Sequence, residues 1–262
     1  MMRKQIYSFI TIGLISLFAA ACAPNSEPPP SAAPAANSAS VSEAIAKAEQ
    51  LFRQREDISK LREAVRTLAN VRNPDARNFE VEWKFAKYNY FLGIESTDEK
   101  ESDKAFTDGA NAAQIAERLA PDKPDGYFWY GANLGEQADR SPVTVGIKSI
   151  NEIRSTMKKV IEIQPDYQGA SAYDALGQLE METDMMGGTP EKAIEYLEKG
   201  LEIEKNNSYL RLHLAQAYLA VNRKADAKKQ LEYILQMKPD PEYALEYKET
   251  AADAKKLLET KF

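Results

Sequence analysis

Residues 208–239, SYLRLHLAQAYLAVNRKADAKKQLEYILQMKP, read as two helices joined by a turn. Leu214, Ala215 and Tyr218 fall on one face of the first segment, and Ala227, Leu231 and Ile234 on one face of the second. Asn222 stands where the chain must reverse, and asparagine tolerates the left-handed backbone such a reversal needs. Pro239 follows the second helix, where it cannot continue the ladder. Two antiparallel helices approach closely only where small side chains meet, which assigns Ala215 and Ala227 to the crossing.

A large residue, a Leu-small pair and an aromatic, followed by Ala, a large apolar residue and a terminal Pro, resemble the tetratricopeptide (TPR) pattern. The pattern recurs upstream with looser spacing. Tyr173, Leu176 and Gly177 pair with Ala193, Leu197 and Gly200 across a lengthened turn, Met185–Pro190, in which Thr189 is placed to cap the next helix with Pro190 at its first position. Leu134-Gly135 opens a unit that ends at Val160, Ile163 and Pro165, with an enlarged turn over Arg140–Lys148. Trp83, Ala86 and Tyr90 pair with Ala113, Ala116, Leu119 and Pro121, and the weakest unit joins Leu51-Phe52 to Ala64, Leu68 and Val71. Asp240-Pro241-Glu242 starts a last helix to about Glu259, whose charged face suits a solenoid cap. The expectation is an all-α, TPR-like solenoid of about five helical hairpins plus a C-terminal capping helix over 41–262, with an unrepeated helical bundle as the competing reading.

The N-terminal segment carries an address. Arg3 and Lys4 precede an apolar run from Ile6 to Ala21, too short for an ordinary membrane span and suited to a secretory signal. It stops at Ala19-Ala20-Ala21-Cys22, which resembles a bacterial lipobox, although Ala19 occupies the position where leucine is commonest. Residues 1–22 are read as a lipoprotein signal with Cys22 as the lipidated residue; the competing reading is a plain Ala-x-Ala cleavage site. Residues 23–40, rich in Pro, Ala and Ser, have no large apolar side chain with which to offset ordering, and are read as a tether. Ala23, rather than Asp, follows the cysteine, which leans toward the outer membrane of a two-membrane cell. The expected location is the bacterial cell envelope, lipid-anchored and facing the periplasm.

Composition removes several function classes. The 262 residues contain one cysteine, which excludes a disulfide framework within the chain and any multi-Cys metal site. One histidine, His213, excludes a conventional two-His metal site. Net charge is −6, and loss of Arg3 and Lys4 with the leader takes it to −8, so the broad basic footprint of a nucleic-acid binder is missing. No phosphate-binding glycine loop or nucleophile elbow is present. Neither enzymatic activity, cofactor, metal nor nucleic acid is expected.

Tyr127–Gly135 (YFWYGANLG) resembles the aromatic–Asn–Leu–Gly segment of the TatT family, TPR lipoproteins associated with tripartite ATP-independent periplasmic (TRAP) transporters. Ala86 with Tyr90–Gly93, the segment Tyr173–Gly177 and the turn Gly187–Ala193 are similar too, so the resemblance spans roughly 41–238; eukaryotic TPR regulators of microtubule dynamics share the layout. The resemblance implies an accessory protein that docks a periplasmic solute-binding protein, with a small hydrophobic or organic ligand passing along the solenoid. An assembly lipoprotein of the outer membrane or envelope is the alternative.

Projecting the TPR register places Lys84, Tyr88 and Phe91 in the concave groove of the second unit, Trp129, Glu136 and Arg140 in the third, Asp174 and Gln178 in the fourth, and Tyr209 and Gln216 in the last. A one-residue register shift would move Phe91 and Trp129 into the core, whereas Tyr127, Phe128 and Tyr130 read as packing residues. Asn133 needs hydrogen-bond partners on a buried face, from a neighbouring backbone or from a ligand. His213, without a second ligand nearby, reads as structural or solvent-facing. Glu180, Glu182 and Asp184 read as a solvated helix end, with a weak cation site near the glycine turn as the alternative, and Met181, Met185 and Met186 as core filling or an adaptable lip.

Overall fold

The computed structural model describes residues 38–141, 146–183 and 187–262. Cys22, the tether as far as residue 37, Asp184, Met185 and Met186 lie outside the described residues. Eleven α-helices and one short 3-10 turn, with no strand, make up the described secondary structure. Five antiparallel hairpins follow in order: α1 (Ser38–Phe52) with α2 (Ile58–Ala69), α3 (Phe79–Glu95) with α4 (Glu99–Leu119), α5 (Pro124–Arg140) with α6 (Ile147–Ile163), α7 (Tyr167–Glu182) with α8 (Pro190–Ile203), and α9 (Ser208–Ala220) with α10 (Lys224–Gln236). The cap is α11 (Ala244–Lys261), packed on α9 and α10.

Local chemistry starts these helices where they start. Asp57, Asn78, Asp98, Thr189 and Asn207 each accept a backbone N–H in the first turn of α2, α3, α4, α8 and α9, satisfying donors the helix leaves unpaired. Pro190 sits at the first position after Thr189, as the sequence predicts. Asn222 adopts φ +60° at the last hairpin turn, also as predicted. Ala215 and Ala227 are fully buried where α9 crosses α10.

The hairpins stack around two apolar clusters. One runs through α1–α7 and includes Leu61, Leu68, Phe85, Trp129, Met157 and Leu176. The other runs from α7 to α11 and includes Leu197, Leu210, Leu214, Leu231 and Ile234. Helix α7 contributes to both. Its first turn is irregular: Gln168, Gly169 and Ala170 have φ of 50°, 64° and 62°, a left-handed run that L side chains adopt at a cost. Asn207 braces this run, donating from Nδ2 to the Gly169 carbonyl at 2.7 Å while its Oδ1 caps α9.

Candidate functional site: the concave groove

The expected groove residues separate into two groups. Four of those on α3 and α5 are drawn into the interior. Tyr88 is buried and stacks on Phe52 of α1, with ring centroids 4.4 Å apart. Lys84 is buried as well; it pairs with Glu49 of α1 and Glu80 and lies over the Trp83 ring, so it ties α3 to α1 rather than facing the groove. Trp129 is 3% exposed and packs among Tyr90, Phe91 and Phe128. Asn133 is fully buried: its Nδ2 donates to the backbone carbonyls of Trp129 (2.7 Å) and Ala86 (3.3 Å), while its Oδ1 is buried without a hydrogen-bond partner. Arg140 leaves the groove in a different way, turning to the start of α4, where it meets Asp103 at 2.6 Å and the Glu99 carbonyl. The placements of Tyr88, Lys84, Trp129 and Arg140 correct the projected register, whereas Asn133 has one of its two expected kinds of partner. Tyr88 and Lys84 are held by contacts with α1, and Trp129 and Asn133 by contacts with α3. Phe91 stays half-buried under Phe52 and Trp129.

The remaining residues form a polar wall on the concave side. His213 Nδ1 lies 2.7 Å from Asp174 Oδ1, and Gln178 Nε2 donates to Asp174 Oδ2 at 3.0 Å, so one buried carboxylate joins α7 to α9. The Tyr209 ring stacks on His213 at 5.9 Å, and its hydroxyl donates to Glu249 of the cap at 3.0 Å. A cavity of about 240 Å³ opens beside them, lined by Gln178, Met181, Glu182, His213 and Gln216. Glu136 adds a further carboxylate, half-buried, whose pKa is pushed up to about 7 by desolvation and by repulsion from Asp139 and Glu182. Burial likewise raises the Glu182 carboxyl, with Asp139 adding to the rise. For His213, desolvation disfavours the charged ring, but the Asp174 carboxylate outweighs it and the net shift is upward.

Several of these roles were hidden in the sequence. His213 takes the structural one of its two readings, and its partner Asp174, 39 residues away, is what the sequence did not reveal. Glu180 is a correction: it is buried and paired with Arg154, not part of a solvated helix end. Tyr90, one position before Phe91, packs against Phe91, Phe106 and Trp129, and its hydroxyl is raised by burial and by the charges of Glu136 and Asp174. Its place in the hairpin pattern pointed to packing, and the structure agrees. Among the described residues no group of acidic, His or Cys side chains is arranged to hold a metal, and no helix is long and apolar enough to cross a membrane.

Five stacked helical hairpins around a concave wall define a TPR-type α-solenoid, an architecture that presents a surface to protein partners. The chain belongs to the family described as regulator of microtubule dynamics protein 1-3, whose model matches residues 44–187, and residues 185–246 match a tetratricopeptide repeat model. The crystal structure of a thermophilic TPR protein from Thermus thermophilus shares the fold: the TM-score is 0.62 at 16% identity, over 82% of this chain and 99% of that one. MamA (20% identity, 76% of this chain and 95% of that one) and Pseudomonas aeruginosa PilF (16%, 84% and 89%) each align with a TM-score of 0.47. Among curated proteins none matches the sequence.

Proposed function

We propose that the protein is a lipid-anchored scaffold of the bacterial cell envelope that binds a protein partner in its concave groove. The observation that carries this reading is the wall built by Asp174, Gln178, Tyr209, His213 and Gln216 on a TPR frame. Its side chains are chemically mixed and partly accessible, a composition suited to a peptide or protein surface. The Ala19–Cys22 motif and the tether behind it support anchoring at the membrane, with the repeat domain held off the bilayer. The TatT-like segments favour, within this class, an accessory component of a TRAP-type transporter that docks a periplasmic solute-binding protein. The name of the matched family refers to microtubules; the leader-like character of residues 1–22 supports an envelope role instead.

Cross-linking in intact cells, followed by detergent pull-down and mass spectrometry, tests the reading. A co-purified solute-binding protein is the expected result. Recovery of outer-membrane or cell-wall assembly proteins would move the role to envelope assembly, and an uncross-linked monomer would remove the scaffold reading. In the same cells Cys22→Ser should shift the protein out of the membrane fraction; persistence there would exclude the lipid as its anchor.

A further inference from the structure

We infer that Arg55 and Glu246 form a latch that closes the solenoid on itself and covers the Phe52–Phe91 side of the concave groove. Arg55 lies in the turn between α1 and α2, and Glu246 in the first turn of the cap, 191 residues on. The Arg55 Nη2 to Glu246 Oε1 distance is 2.6 Å, and the two side chains are only 12% and 16% exposed. The guanidinium carbon lies over two aromatic rings, 4.7 Å from the centroid of Phe52 and 5.3 Å from that of Phe91. An ion pair so placed does more than decorate the surface: it joins the first hairpin to the last helix.

Few helix-to-helix contacts accompany it, although Tyr90 of α3 also lies near Tyr209 of α9. The two apolar clusters meet at α7, and among the described residues no helix of the first two hairpins packs extensively against α8, α9, α10 or α11. The left-handed run at 168–170 opens α7, the helix that contributes to both clusters. The latch also joins the two matched regions, Arg55 within 44–187 and Glu246 at the end of 185–246.

The closed contact is poised rather than deep. Glu246 Oε2 is buried without a hydrogen-bond partner, which taxes the closed state. Closure gathers Glu95, Glu246 and Glu249 near one arginine; burial, then repulsion from Glu249, raises the Glu95 carboxyl, against the pull of Arg55. Opening would relieve both and uncover Phe52 and Phe91, an apolar surface beside the polar wall. Only the role of that surface in partner binding rests on the scaffold reading; the latch is a property of the free chain.

The test uses the full-length chain in detergent with Cys22→Ser and nitroxide labels on Glu56→Cys and Lys256→Cys, both exposed positions. The parent should give one narrow distance distribution. Arg55→Glu should replace it with a broad, longer one and raise the fluorescence of the apolar-surface dye ANS several-fold, with the helical circular dichroism kept. Charge exchange in the Arg55→Glu/Glu246→Arg double variant should restore the narrow peak and the low dye signal. Should Arg55→Glu lose helix, Glu246→Gln carries the same readout. A broad distribution in the parent, or a narrow one in every folded single variant, would overturn the latch, as would failure of the exchange to restore it. None of these needs a partner, so a failed pull-down would remove the scaffold reading and leave this result standing.

Discussion

Glu82 sits at the base of the α2–α3 corner with no solvent exposure, yet both its oxygens are used: Oε2 meets Arg72 at 2.7 Å and Oε1 meets Arg77 at 2.8 Å. Arg72 also lies over the Phe85 ring. One carboxylate therefore holds the connection between the first two hairpins. Glu82→Ala would leave two partly buried guanidinium groups without their counter-ion, a loss of about 3 kcal/mol in urea unfolding. A loss below about 1 kcal/mol would mean that water replaces the carboxylate there. Asn133 shows the same economy, since a single amide bridges α5 to a carbonyl of α3 while lying against Gly109 of α4. The need of Asn133 for partners could be read from the sequence, but which partners could not, because the α3 carbonyl it reaches, that of Ala86, is 47 residues away in the chain.

Glycines on α5 separate packing from propensity at the level of the element. A Cβ added at Gly126 would stand 2.5 Å from the Glu117 backbone nitrogen of α4, and backbone cannot rotate aside. A Cβ at Gly135, further along the same helix, meets nothing within 4 Å. Gly126→Ala should therefore cost about 1–3 kcal/mol by forcing α4 and α5 apart. Gly135→Ala should be neutral or stabilise by up to about 1 kcal/mol, through helix propensity alone. Thermal melts of the two variants decide; equal effects would show that the α4–α5 crossing yields. At this scale the sequence was most legible. Helical period, small residues at crossings, the Thr189 cap and the Asn222 turn are local signals, and each hairpin lies where those signals put it. The groove register was less legible. It depends on contacts between hairpins, such as Phe52 on Tyr88 and Tyr90 on Trp129, and a repeat pattern does not specify those pairs.

Curvature of the whole solenoid gathers charges that the sequence scatters over three repeats. Glu136, Asp139, Asp174, Glu182 and His213 come from α5, α7 and α9, and only the assembled arc brings them within reach of one another. No periodicity foretells such a meeting, nor the Arg55–Glu246 contact between the ends of the arc. Its consequence is a pH dependence with a fixed sign. Glu136 has a folded pKa of about 7 against a reference of 4.5, so the fold favours its neutral form. That contribution is complete below about 4.5 and is lost as pH rises through about 7. His213 acts in the same direction. Its folded pKa lies above the reference 6.5, so its contribution is present below that value and is lost as pH climbs past the raised one. Stability to urea should then fall between about pH 5 and about pH 8. Glu136→Gln keeps the shape and removes the charge, so it should flatten this slope and gain of order 1 kcal/mol at about pH 8, after allowance for solvent screening. At about pH 5, where Glu136 is already protonated in the fold, variant and parent should differ little. If the difference between them were the same at both pH values, the carboxylates of the concave wall would not be interacting through charge, and the groove would be more open to water than its geometry indicates.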